Sequence, residues 1–304
     1  MSALGGLLVP LVTPFAHDGA VDLEALERLA REVLDDGADG LVALATTAES
    51  SSLDEGERVA VLAVCSAVAV ERNATLVVGA GTNDTRTTIA RHEALADVEG
   101  VTAAMAVVPY YVRPSETGIV AHLQAVAAAS PVPVVVYNIP YRTGRGLGAE
   151  ALLELAATDG IVGVKQAVGA VDADTLRLLA AAPADFAVLC GDDAFVLPLA
   201  LMGARGAIAG SAHLCTDRFA ALLAAAADGR VEEARRHAVA LLALVLALFA
   251  EPSPAVLKAM LHEAGRIATP ALRMPLQAAS EAGLERARRS APSRSSARAP
   301  ARAR

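Results

Sequence analysis

Eight short runs rich in valine, leucine and isoleucine recur through the first 209 residues, and each is followed by a longer, alanine-rich amphipathic stretch. The runs lie at 7–12, 40–44, 75–79, 102–107, 132–137, 161–165, 186–189 and 206–209, and the helical stretches near 22–36, 54–72, 84–97, 115–129, 149–157, 172–182, 193–202 and 214–227. Runs this short and this uniformly apolar suit strands buried on both faces, which is the condition of parallel strands joined by helical crossovers. Helix starts carry capping signals: Asp22, Asp54 with Glu57 three residues on, and Ser115. Eight strand–helix pairs make an α/β chain that closes into a (β/α)8 TIM barrel. A doubly wound open sheet would need a glycine-rich turn after the first strand, and Pro10 to Phe15 contains no glycine.

Beyond the eighth pair, helical stretches near 231–250, 254–264 and 271–288 have no strands to accompany them. The organisation expected is a barrel at 1–228, a C-terminal helical extension at 229–285 and a disordered arginine-rich tail at 286–304. That last segment holds seven arginines and no acid, so the formal charge of -8 averages a strongly acidic body with a basic tail. Such a tail lacks the apolar residues to order itself. Contact with nucleic acid or an anionic surface is its alternative reading, and an inert extension, with no nucleic-acid partner, is the one adopted. The longest apolar stretch, 238–250, is short of the roughly 20 residues of a bilayer span, which predicts a buried helix and no membrane partner. Three cysteines, Cys65, Cys190 and Cys215, sit in apolar runs without metal-like spacing, and residues 1–11 lack a basic leader, so a reducing, cytoplasmic setting is expected.

Barrel active sites lie where the strands end at the C-terminal face. Those ends hold one of only two lysines in the chain: Lys165 closes the sixth run, whereas Lys258 falls in the extension and reads as a solvated helix residue. An amine in an apolar barrel mouth is pushed towards its neutral, nucleophilic form and attacks carbonyls to give a Schiff base; a rim lysine reaching for solvent is the plain alternative. Tyr137 ends the neighbouring fifth run and offers a phenol for proton transfer, or simply packs. Thr46 and Thr47, after the second run, suit a small carboxylate or ordinary turn chemistry. Arg142 follows Tyr137 closely and either clamps a second carboxylate or stays solvated in its loop. Asp192 and Asp193 read as helix N-caps. No phosphate loop, complete dinucleotide fingerprint or zinc-helix histidine pair is present, so neither metal nor cofactor is expected.

Taken together, Ala45-Thr46-Thr47-Ala48-Glu49-Ser50, Gly79-Ala80-Gly81-Thr82-Asn83, Pro109-Tyr110-Tyr111-Val112-Arg113-Pro114, Tyr137-Asn138-Ile139-Pro140-Tyr141-Arg142-Thr143-Gly144, Gly163-Val164-Lys165 and Gly191-Asp192-Asp193 resemble the dihydrodipicolinate synthase / N-acetylneuraminate lyase family of class I, pyruvate-dependent aldolases. The resemblance implies that Lys165 forms an imine with pyruvate, that Tyr137 is the general acid/base, and that Thr46 relays protons between Tyr137 and Tyr111 of a neighbouring subunit in a homotetramer built of dimers. It further implies that Thr47 holds the pyruvate carboxylate, that Ile208 lies near the imine, and that Arg142 receives the carboxylate of an aldehyde such as aspartate semialdehyde. The Arg-Thr-Gly sequence is typical of the family's synthase branch. Departures from that branch are Ala45 and Ala48 for two glycines, Gln166 for an acid, and Val168 for Thr or Ser. Glu55, Arg58 and Thr87 stand at positions resembling a lysine-feedback site, which implies weak or absent inhibition by lysine. Alternative readings are a related aldolase or dehydratase acting on a 2-keto-3-deoxy sugar acid or other 2-oxo acid, and a non-catalytic barrel that binds a keto acid.

Overall fold

The computed structural model describes residues 4–291. Strands β1 (Gly6–Pro10), β2 (Gly40–Ala43), β3 (Thr75–Gly79), β4 (Ala103–Val107), β5 (Val134–Asn138), β6 (Ile161–Gln166), β7 (Ala187–Cys190) and β8 (Gly206–Ile208) pair in parallel in chain order, and β8 pairs back onto β1 to close the barrel. Helices α1 (Leu23–Asp35), α2 (Glu55–Arg72), α3 (Thr85–Glu93), α4 (Glu116–Ala129), the four-residue α5 (Pro140–Thr143), α6 (Ala149–Ala156), α7 (Ala173–Ala181), α8 (Val196–Leu201) and α9 (Ala212–Ala227) connect and surround the strands. The expected (β/α)8 barrel is the observed fold.

Strand alternation sorts side chains into two cores, because successive residues of a strand face opposite sides. In β1, Leu7 and Val9 pack outward under the helices while Leu8 enters the lumen. In β5, Val134 and Val136 face outward, whereas Val135 and Tyr137 face the lumen. The same period in β6 sends Val164 outward and turns Lys165 inward. Asp22 caps α1 and Ser115 caps α4, while Asp54 and Glu57 form a reciprocal capping box on α2, as their spacing predicts.

After the barrel, α10 (Val231–Leu248) folds back against α9, and α11 (Ala255–Glu263) and α12 (Glu281–Ser290) pack beside it. Two expectations change here. The stretch 271–280, read as helical, is irregular chain, and the helix begins at Glu281 behind a Ser280 N-cap. Residues 286–290, read as the start of a disordered tail, are the last turns of α12, where Arg288 pairs with Glu263 and Glu281 and Ala287 is fully buried. The remainder of the arginine-rich segment, 292–304, lies outside the described residues. Among the described residues no helix is long and apolar enough to cross a membrane.

Candidate active site

Register places the two central groups. β5 and β6 pair Tyr137 directly with Lys165, and both point into the C-terminal mouth of the barrel. The Lys165 Nζ lies 4.2 Å from the Tyr137 ring centroid. Burial strips the ammonium of water and lowers the Lys165 pKa to about 8, against the opposing pull of Asp193. Burial also holds the Tyr137 phenol protonated, its pKa raised well above the usual value, while a hydrogen bond with Thr46 works the other way. A lysine of ordinary pKa is neutral in about one molecule in 3,000 at pH 7; at about 8 the fraction is about one in ten. The site therefore supplies a nucleophilic amine next to a protonated phenol.

The ends of β5 and β6 are held in place by a buried amide network. Asn138 donates from Nδ2 to the Leu147 carbonyl at 3.1 Å and to Gln166 Oε1 at 3.0 Å, and its Oδ1 accepts from Leu147 N at 3.1 Å. Gln166 in turn donates from Nε2 to Thr175 Oγ1 at 3.0 Å. Glutamine both accepts and donates there, so it satisfies two buried neighbours without placing a charge beside Lys165.

Around these groups lies a cavity of about 210 Å³. Thr46 and Thr47 line it from a single 3₁₀ turn at Thr46–Ala48, Tyr141 and Arg142 from α5, and Ile208 from β8. Arg142 lies over Tyr141, its guanidinium carbon 5.6 Å from the ring centroid, and this exposed cation lines the cavity. Val245, Leu246 and Phe249 of α10 and its C-terminal edge supply an apolar wall, so the helical extension completes the site. Gly191 closes the floor beside the lysine: a Cβ there would meet Lys165 Cγ at 2.9 Å and Ala167 Cβ at 2.8 Å.

Lys165, Tyr137, Thr46, Thr47, Arg142 and Ile208 are thus brought together. Tyr111 is not among the cavity-lining residues; it is 87% exposed, in the left-handed backbone region at φ 69°. Among the described residues no group of three or more His, Cys, Asp or Glu could hold a metal ion. The three cysteines are free and buried.

A model of the dihydrodipicolinate synthetase family matches residues 3–291. The chain belongs to that family. It is 40% identical over 272 residues to a 4-hydroxy-tetrahydrodipicolinate synthase of Moorella thermoacetica, covering 90% of this chain and 92% of that protein. Its fold superposes on a dihydrodipicolinate synthase of Thermotoga maritima with a TM-score of 0.91 at 32% identity, covering 95% of this chain and 97% of that one. A chloride-inhibited dihydrodipicolinate synthase of Acinetobacter baumannii, solved with pyruvate, gives a TM-score of 0.90 at 34% identity over 94% and 97% of the two chains.

Two expectations need correction. Lys258 is not solvated: it is completely buried, with Nζ donating at 2.8 Å to both Glu49 Oε1 and the Thr13 carbonyl. The signal was present, since a single charge among the apolar residues Ala255 to Leu261 of α11 has to find a partner when that stretch is buried. Asp192 and Asp193 do not cap a helix with their side chains. Asp193 accepts from Ser211 N at 2.6 Å and Gly210 N at 3.3 Å, Asp192 accepts from Gly169 N at 2.7 Å, and both line the cavity. Together they lace the ends of β6, β7 and β8 around the lysine. Tyr141 lines the cavity beside Arg142.

Proposed function

We propose that this chain is a 4-hydroxy-tetrahydrodipicolinate synthase, a lyase-type enzyme that condenses pyruvate with aspartate semialdehyde. The observation that carries the reading is Lys165: a buried amine with a depressed pKa, set against Tyr137 in a cavity that has an arginine at its rim. The neutral Lys165 Nζ attacks the pyruvate C2 carbonyl, and the carbinolamine oxygen leaves as water once protonated. Tyr137 is the fitting proton donor, with Thr46 hydrogen-bonded to it and able to pass the proton on. Loss of a C3 proton from the imine gives an enamine, which attacks the aldehyde carbon; hydrolysis or cyclisation then frees Lys165.

Thr47 suits the pyruvate carboxylate, Ile208 flanks the imine carbon, and Arg142 is available for the carboxylate of the second substrate. Tyr111, exposed at the end of its loop, is the group a neighbouring subunit would insert to complete the relay, which makes a homotetramer built of dimers the expected working form. The imine is the only prosthetic chemistry the reading requires, and the cytoplasm is its setting.

One group decides between this and an aldolase or dehydratase of 2-keto-3-deoxy sugar acids. Arg142 favours a substrate with a second carboxylate near its aldehyde. Assaying condensation of pyruvate with aspartate semialdehyde beside cleavage of a panel of 2-keto-3-deoxy acids should give the larger kcat/KM for the condensation, falling about 10²-fold or more in Arg142→Ala. Faster turnover of any sugar acid by the wild-type chain would overturn the assignment.

A further inference from the structure

The turn that carries Thr46 and Thr47 is conformationally costly. Leu44 before it and Glu49 after it both occupy the left-handed region, at φ 54° and 52°, without being glycine, and such residues hold their places only when the surroundings over-determine them. Within the turn, the hydrogen bonds are Ala48 N to Ala45 O and Glu49 N to Thr46 O, each 3.1 Å. Ser52 N and Oγ donate to the Glu49 carbonyl at 2.9 and 2.8 Å, and further support comes from distant parts of the chain. Thr13 Oγ1 donates to the Ala48 carbonyl at 2.7 Å. Glu49 Oε1 accepts from Lys258 Nζ at 2.8 Å, and Glu49 Oε2 accepts from Arg273 N at 2.9 Å. The same Lys258 Nζ donates to the Thr13 carbonyl at 2.8 Å and stands 4.1 Å from the Phe15 ring centroid.

Lys258 and Glu49 are fully enclosed, with side-chain exposures of 0% and 1%. Neither lines the cavity, so neither touches substrate. A buried ion pair is seldom the most stable filling of such a space, since apolar residues of similar volume commonly do as well or better. What it provides is direction: one ammonium bonded to two acceptors fixes the segment after β1 and the segment after β2 relative to each other, with Thr46 and Thr47 carried on the second.

Building on the function proposed above, we infer that Lys258 of α11 and Glu49 are positioning residues, a buried ion pair by which the C-terminal extension sets the Thr46–Thr47 turn for pyruvate capture. The pair spans 209 residues of sequence. It makes the extension part of the catalytic apparatus in a second place, besides the cavity wall from α10.

The test separates positioning from stability with one variant that removes both charges and one that removes only the carboxylate's. Glu49→Leu/Lys258→Met replaces both charges with apolar side chains, and Glu49→Gln keeps the side-chain volume with one of the two acceptors, its NH2 replacing the other opposite Lys258 Nζ or Arg273 N. For each folded variant and for wild type, the pyruvate concentration that half-saturates borohydride trapping on Lys165 is measured together with the melting temperature. The inference expects half-saturation to move at least tenfold higher in the double variant, with melting within about 5 °C of wild type, and a smaller rise in Glu49→Gln. Wild-type half-saturation in either folded variant would overturn it, as would failure of both to fold, which would assign the pair to the fold alone. If wild type itself gives no adduct, the functional reading fails first and this inference falls with it; an adduct in wild type with unchanged variants sinks only the inference.

Discussion

Lys165 owes its chemistry to position more than to residue type. Its amine is pushed to about 8 chiefly by burial, with Asp193 opposing the shift. In the proposed mechanism the neutral amine is the nucleophile, so imine formation should rise with pH and level off above a midpoint near 8. An unshifted lysine would place that midpoint near 10.5. Single-turnover imine formation across pH 6 to 10.5 reads the difference. Tyr137→Phe keeps the ring under the amine and removes the proton, so kcat should fall about 10²- to 10³-fold with little change in melting temperature. These two residues were legible in the sequence because each ends an apolar run, and strand period two decides which way it faces. Lys258 was not, because its partners Glu49 and Thr13 lie more than 200 residues away and no local pattern marks them.

Among the elements, the strand ends do most of the positioning. Eight apolar runs and their caps were enough to place every strand, since a fully buried parallel strand leaves the same signature wherever it occurs. The extension was read less well. The stretch 271–280 keeps an apolar rhythm without forming a helix, and the arginines at 286, 288 and 289 look like a solvated run until Glu263 on α11 is brought opposite Arg288. At the end of β7, Gly191→Ala should be harmful out of proportion to its size. The added methyl meets Ala167 Cβ and Lys165 Cγ below 3.0 Å, so the lysine stem has to shift. Overpacking of this kind costs about 1–3 kcal/mol; kcat should fall at least about tenfold, because a small displacement of a reacting group is expensive in rate. Thermal melting with steady-state kinetics on the same preparation checks both.

At the scale of the molecule, barrel and extension build one cavity, because its apolar wall and the buried lysine under the Thr46–Thr47 turn both come from beyond the eighth strand. Truncation should reveal where that joint structure ends. Removing 292–304 should leave kcat/KM and melting unchanged. Removing 281–304 takes away α12 with the buried Ala287 and the Arg288 ion pairs, and should lower the melting temperature by about 5 °C or more. Assembly was legible only through family resemblance: a tyrosine 87% exposed on a left-handed loop says nothing by itself about which partner covers it. Sedimentation should give four times the 30.9 kDa chain mass, and Tyr111→Phe should lower kcat while the assembly persists.

The central claim is that Lys165 is the covalent centre. Incubation with pyruvate and borohydride, followed by peptide mass analysis, tests it most directly. The account predicts one reduced pyruvyl adduct per chain on the peptide containing Lys165, absent in Lys165→Ala. No adduct in wild type, or an adduct on the Lys258 peptide alone, would contradict it.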